Sequence, residues 1–307
     1  MKKLLLPLLI GTALTINFAP AAHAGFFAVQ KARIEKSREA KNTKAELRDL
    51  FVKQLEYTNN KNLDKLSSLY AETFVNNDGF DKKVYFKLVK DTWKNYPDIM
   101  YGTTIRDIQF DGDYAYVQAY ETALSTTEET VGSLQAYGEL TSEANTIYYL
   151  QKFGKEWKII SEQVLNEKSA LKYGDARFIK MDLNTPEIVN AGQAYTASLD
   201  LELSEDEDAI ASIDRQIIIH PQQQSEESFR QISDDNTLER MFYANKNNVN
   251  EYTTASVGIA RSEIYDKTKV RVYVSGVAFL MTRVNVIPQN KHITLEEENE
   301  ENAQQDK

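Results

Sequence analysis

The sequence predicts an α+β domain, in which three helices pack on a curved antiparallel sheet, followed by an all-β sandwich. Three observations predict it. Helical periodicity is confined to residues 44–96, period-two alternation takes over after Pro97, and a 307-residue chain that is 42% hydrophobic has enough apolar residues for two cores.

Residues 1–24 carry Lys2 and Lys3, an apolar run and Ala22-His23-Ala24 before Gly25. That order is a secretory signal peptide, so a mature chain beginning near Gly25 is expected, periplasmic or extracellular. No later apolar run is long enough for a transmembrane helix. Residues 25–43 alternate charges of both signs and read as a helical lead-in. A lipid-facing role for them is weakened by Glu35 and Glu39, which interrupt the basic face. From Lys44, the residues Leu47, Leu50, Phe51, Gln54, Leu55 and Thr58 share one helical face. Asn62 is the expected cap of a second helix reaching toward Phe74, and Asp81 that of a third, which Pro97 ends.

The strands begin with residues 103–110 and 114–124, joined by the turn Asp111-Gly112-Asp113. Residues 134–140, 146–153 and 156–165 follow as further strands, with Gly154 turning the last pair. The pattern lapses over 166–175, which places a domain boundary near 171. Residues 171–290 are then the sandwich: 194–203 alternates cleanly, 212–220, 239–245, 251–261 and 269–288 are strands, and Ser275-Gly276 marks a bend or bulge. The tail 291–307 is acidic and reads as disordered.

Composition excludes several functions. Without Cys there is no disulfide, thiol chemistry or thiolate metal site. A net charge of −10, with 46 acidic against 36 basic side chains, argues against nucleic acid as a partner. The acidic run Glu205-Asp206-Glu207-Asp208 lacks the spacing of a calcium loop and reads as a solvated turn. No metal or cofactor is expected.

The segments NLDKLSSLYAETFV (62–75), YPDIMYGTTIRDIQFDGDYAYVQ (96–118) and YYLQKFGKEWKII (148–160) resemble the nuclear transport factor 2-like superfamily, in particular its SnoaL-like members, over about residues 44–166. The resemblance implies a cone-shaped α+β domain (44–170) enclosing a pocket that some members use for catalysis and others for binding. It also implies pairing of cone domains, here a homodimer through the sheet. Residues 186–201 are similar to the opening strands of immunoglobulin-like modules.

Isomerases and cyclases of the family use a carboxylate base with an acid that polarises a carbonyl. By position, Asp78 is the implied base and Tyr57 a phenol donor, each with a plainer reading as loop acid and core tyrosine. The dehydratase-like members depend on histidine, yet the three histidines here, His23, His220 and His292, all lie outside the cone segment. Aromatic residues are plentiful, and Tyr70, Tyr85, Trp93, Tyr116 and Tyr149 are the candidate pocket wall for an apolar or planar ligand. On 114–124 either the tyrosine face or the face Ala115, Val117, Ala119 must point inward.

With no histidine and no paired-carboxylate motif in the cone segment, the leading expectation is an exported, non-enzymatic ligand-binding or interaction protein. An isomerase or cyclase working through Asp78 is the alternative. A structural envelope component is the third reading.

Overall fold

The computed structural model describes residues 21–127, 134, 136–222, 228–233, 235–266 and 269–289. The residues before 21 and after 289, where the signal peptide and acidic tail are expected, lie outside it, as does most of 128–135. Residues up to Glu46 and residues from Leu47 form two separate compact units. Helix α1 is Ala21–Asn59, and its turns from Leu47 onward belong to the second unit.

Asn62 caps α2 (Leu63–Ser68), its side chain accepting from the Lys65 amide at 3.1 Å. Asp81 caps α3 (Lys82–Asn95) through the Val84 amide at 2.8 Å. Both caps are as the sequence indicates, because a short side-chain acceptor satisfies an orphan amide of the first turn. Helix α2 stops earlier than the apolar spacing suggests. The chain leaves it to pair with a strand: Ala71 N donates to Ile159 O at 2.8 Å and Ile159 N to Leu69 O at 2.9 Å.

Strands β1 (Met100–Asp111), β2 (Tyr114–Thr127), β3 (Gly138–Phe153) and β4 (Glu156–Gly174) form a four-stranded antiparallel array. Gly112 and Gly154 occupy the turns with φ of 55° and 65°, a region that penalises a Cβ. Two expectations are corrected here. Residues 138–140 and 146–153 belong to one strand, and β4 continues to Gly174 through the stretch read as a lapse, passing position 171 without a break. Alternation fades in that stretch because β4 lies between β3 and a C-terminal strand, which leaves most of its side chains half-buried on either face.

Helices and sheet share a core: Leu47, Phe51, Phe74, Phe86 and Trp93 pack with Val117, Ala119, Leu150 and Ile159. On β2 it is the small aliphatic face that points inward.

The remaining strands are β5 (Met181–Asn184), β6 (Ile188–Asn190), β7 (Ala194–Leu201), β8 (Glu207–Ile217), β9 (Arg230–Gln231), β10 (Thr237–Tyr243), β11 (Glu251–Asp266) and β12 (Lys269–Ile287). Strands β5, β6 and β9 escape the sequence reading, being only two to four residues long. The large sheet runs β1-β2-β3-β4-β12-β11-β8-β9, with β6 beside β12. It is continuous across the β4–β12 pairing, so the cone and the C-terminal strands share one sheet.

A second sheet, β10-β7-β5, covers part of it. The face on which alternation places Tyr195, Ala197, Leu199, Leu201 and Leu203 points inward, in one core with Val257, Ile259 and Leu280 and with Leu203 packed at its edge. The bulge falls where predicted: Ile259 pairs with Gly276 and Ala260 with Val274, leaving Ser275 extra. Gly174, at φ 55°, sits against this bulge so closely that a Cβ would lie 2.3 Å from Ser275 O.

Candidate functional site

A cavity of about 210 Å³ lies in the cone between the helices and the sheet. Its wall takes Gln54 from α1, Tyr70 from the segment after α2, Tyr85 from α3, Tyr101 from β1, Glu121 from β2 and Tyr148 from β3. Among the described residues, no Lys, Arg or His lines it.

Glu121 is carried inward by the same alternation that buries Ala115, Val117, Ala119 and Ala123. Tyr148 donates to Glu121 Oε1 at 2.7 Å. Burial holds the Glu121 carboxyl above the usual carboxylate range, and hydroxyls of Tyr148 and Thr146 partly offset it.

Behind the wall, Glu162 is buried and accepts from Tyr85 Oη at 3.0 Å. Burial first, then the Glu121 charge, pushes Glu162 up to about 8, so it is protonated at neutral pH. Gln54 Nε2 donates to Tyr70 Oη at 2.8 Å, and the Tyr70 and Tyr85 rings lie 5.6 Å apart. Burial raises the phenols of Tyr70, Tyr85 and Tyr148, so all three remain neutral donors.

Sequence reasoning missed both carboxyls. Glu121 was legible, since its position is in phase with the inward aliphatic face of β2. Glu162 was not. Trp157 and Ile159 face inward, and from that phase residue 162 should face outward. A bulge at Ile160, between the pairs Leu150–Ile159 and Tyr149–Ser161, reverses the phase and aims Glu162 into the cone opposite Tyr148.

Of the sequence candidates, Tyr70 and Tyr85 line the cavity, and Trp93 is buried in the core beside it. Tyr116 and Tyr149 are directly paired on the opposite, outer face of the sheet, away from the cavity, because Ala115 and Val117 take the inner one. Tyr57 packs at the margin of the core with Lys65 over its ring, 5.5 Å from the centroid.

Asp78 is not in the wall either. Its side chain is 6% exposed and ion-paired with Arg283 of β12, which is 1% exposed. Asn250 Nδ2 donates to Asp78 Oδ1 at 2.8 Å, and Arg283 Nη1 to Oδ2 at 3.1 Å. Its acceptors are occupied by a structural cation and amide, which leaves it no role as a base at the cavity. The short hydroxyl and amide contacts of Asp98 with Ser125 and Thr126 lie at the surface and hold its pKa down to about 2.

Among the described residues no group of acids, histidines or cysteines is arranged to hold a metal, and no helix is long and apolar enough to cross a membrane.

No family model matches the chain, and no curated protein matches it. Solved structures similar to part of it include Bd1075 of Bdellovibrio bacteriovorus, at 19% identity and TM-score 0.35 over 41% of this chain and 41% of that one. A candidate scytalone dehydratase from Novosphingobium aromaticivorans is similar at 13% identity and TM-score 0.35, over 42% and 86% of the two chains. A nuclear transport factor 2-like protein from Cytophaga hutchinsonii is similar at 16% identity and TM-score 0.28, over 38% and 93%. This chain spans less than half the length of the Bdellovibrio protein. At these identities and scores the chemistry of the site rests on this chain's own residues.

Proposed function

We propose that the protein is an exported small-molecule-binding protein of SnoaL-like type, with the ligand held in the cone cavity against Glu121 and Tyr148. The observation that carries this reading is the Glu121–Tyr148 pair, a carboxyl and a phenol 2.7 Å apart on the wall of a 210 Å³ cavity. A polar pair on a largely apolar concave wall orients a ligand and sets its specificity. Native mass spectrometry of the protein purified from its own envelope tests it. A bound molecule is expected that is lost in Ser142→Trp, which fills the cavity from β3. Recovery of empty protein, with an unchanged spectrum for the variant, would overturn it. Export is checked in the same preparation by sequencing the mature N-terminus, expected at Gly25.

A second reading, an isomerase or cyclase, is favoured by one specific feature. The base-plus-donor arrangement implied by the family resemblance is present in the cavity, supplied by Glu121 and Tyr148 rather than by Asp78 and Tyr57. Conversion of cyclohex-3-enone to its conjugated isomer is the measurement. Acceleration that falls at least roughly 100-fold in Glu121→Gln supports a proton-transfer role, and no acceleration by the wild-type protein rejects it for this class of ketone.

A further inference from the structure

We infer that the cone cavity selects an organic ammonium ion: a small primary or secondary alkylamine that lays its charged end against Glu121 and its carbon skeleton among Tyr70, Tyr85, Tyr101 and Tyr148. This deepens the binding reading above and rests on it.

Elsewhere the molecule meets its buried acids with positive charge. Asp78 is paired with Arg283. Glu251, fully buried, is paired with Arg215 at 2.7 Å, and Glu207 with Arg261 at 2.8 Å. Glu167 receives Tyr252 Oη and lies in the field of Arg283. The two carboxyls of the cone are handled differently. Glu121 is met by the hydroxyls of Tyr148 and Thr146, and Glu162 by Tyr85 and Asn76; none of these carries a positive charge. A buried carboxyl without a cation is costly, and here the Glu121 charge adds to the burial that raises Glu162.

A ligand that brings one positive charge supplies the missing counter-ion and relieves that cost, which makes charge the main term in selectivity. The rest of the wall agrees with a cation. Phenol oxygens and the Gln54 amide oxygen accept N–H bonds, and tyrosine rings attract an ammonium or its polarised CH₂ groups. Among the described residues no basic side chain lines the wall, so a carboxylate or phosphate ligand would find no cationic partner there and the Glu121 carboxylate opposing it. The volume admits on the order of ten heavy atoms.

The test uses the full mature chain and three probes of nearly the same shape: phenethylamine, 2-phenylethanol and phenylacetate, each titrated calorimetrically at pH 7. Phenethylamine is expected to bind at least about tenfold more tightly than the alcohol, with phenylacetate the weakest of the three. Glu121→Gln, isosteric and neutral, is expected to abolish the preference for the amine over the alcohol while keeping the wild-type circular dichroism. Tyr148→Phe keeps the carboxyl and is expected to retain the preference. Equal or tighter binding of the alcohol, an undiminished preference in Glu121→Gln, or no binding of the amine overturns the inference. The two readings fail differently. A neutral or anionic molecule recovered by native mass spectrometry rejects the ammonium ligand and leaves the cone as a binding site, whereas empty protein with an inert Ser142→Trp variant removes both.

Discussion

Glu162 is a carboxylic acid kept neutral by its surroundings, and the consequence for stability has a definite sign. Its folded-state value of about 8 exceeds the ordinary 4.5, so between those limits the folded state holds a proton that the unfolded chain has released. Stability therefore falls as pH rises from about 4.5 to about 8, by an amount on the order of a few kcal/mol for this group alone. Glu162→Gln is expected to flatten that decline when urea midpoints are measured from pH 5 to 8.5, and an unchanged slope would show that the carboxyl is not the source. Asp78 obeys the opposite logic. Its stabilisation depends on a charge partner, so Asp78→Ala, which strands Arg283 in the interior, is expected to cost about 3–5 kcal/mol. The double change Asp78→Leu with Arg283→Met should cost much less than the single one, read from the same denaturation curves.

At the scale of elements, local chemistry and pairing compete, and each wins in different places. The caps Asn62 and Asp81 were visible in the sequence because capping needs only a short acceptor at the right offset. Each is expected to be worth about 1 kcal/mol on replacement by alanine, measured as a shift in thermal midpoint. Helix α2 shows pairing winning: its apolar spacing continues past Ser68, yet Leu69 and Ala71 exchange backbone bonds with Ile159. At Gly174 the end of β4 meets the bulge of β12 with no room for a Cβ. Gly174→Ala is expected to lower the thermal midpoint markedly, since the added carbon meets the Ser275 carbonyl and the positive φ also disfavours it.

For the second compact unit as a whole, the continuous sheet is the governing feature. Because β4 pairs with β3 on one side and β12 on the other, the cone cannot lose its last strand without exposing the edge of the C-terminal layers. One cooperative transition is expected. Tryptophan fluorescence reports the cone alone, since Trp93 and Trp157 both belong to its core, while far-ultraviolet circular dichroism reports every strand. The two urea curves should coincide, and well-separated midpoints would show that the layers unfold independently.

The three helices and the two caps, the first hairpin, the residues sharing one face of β7 and the bulge at Ser275 were legible in the sequence, although α2 ends before its apolar spacing does. Each of these follows from a pattern no longer than about a dozen residues. The sequence also carried Glu121, whose phase on β2 points inward, although its chemistry is plain only beside Tyr148. Tertiary structure alone decided the rest. Asp78, the sequence candidate for a base, is claimed by Arg283 from a strand 205 residues away. Glu162 reaches the cone only because one extra residue reverses its strand, and Tyr116 and Tyr149 are turned outward by the small residues that fill the inner face. The physical reason is the same in each case. Alternation fixes which residues share a face, but bulges and long-range partners decide where that face points and which charges are already spent.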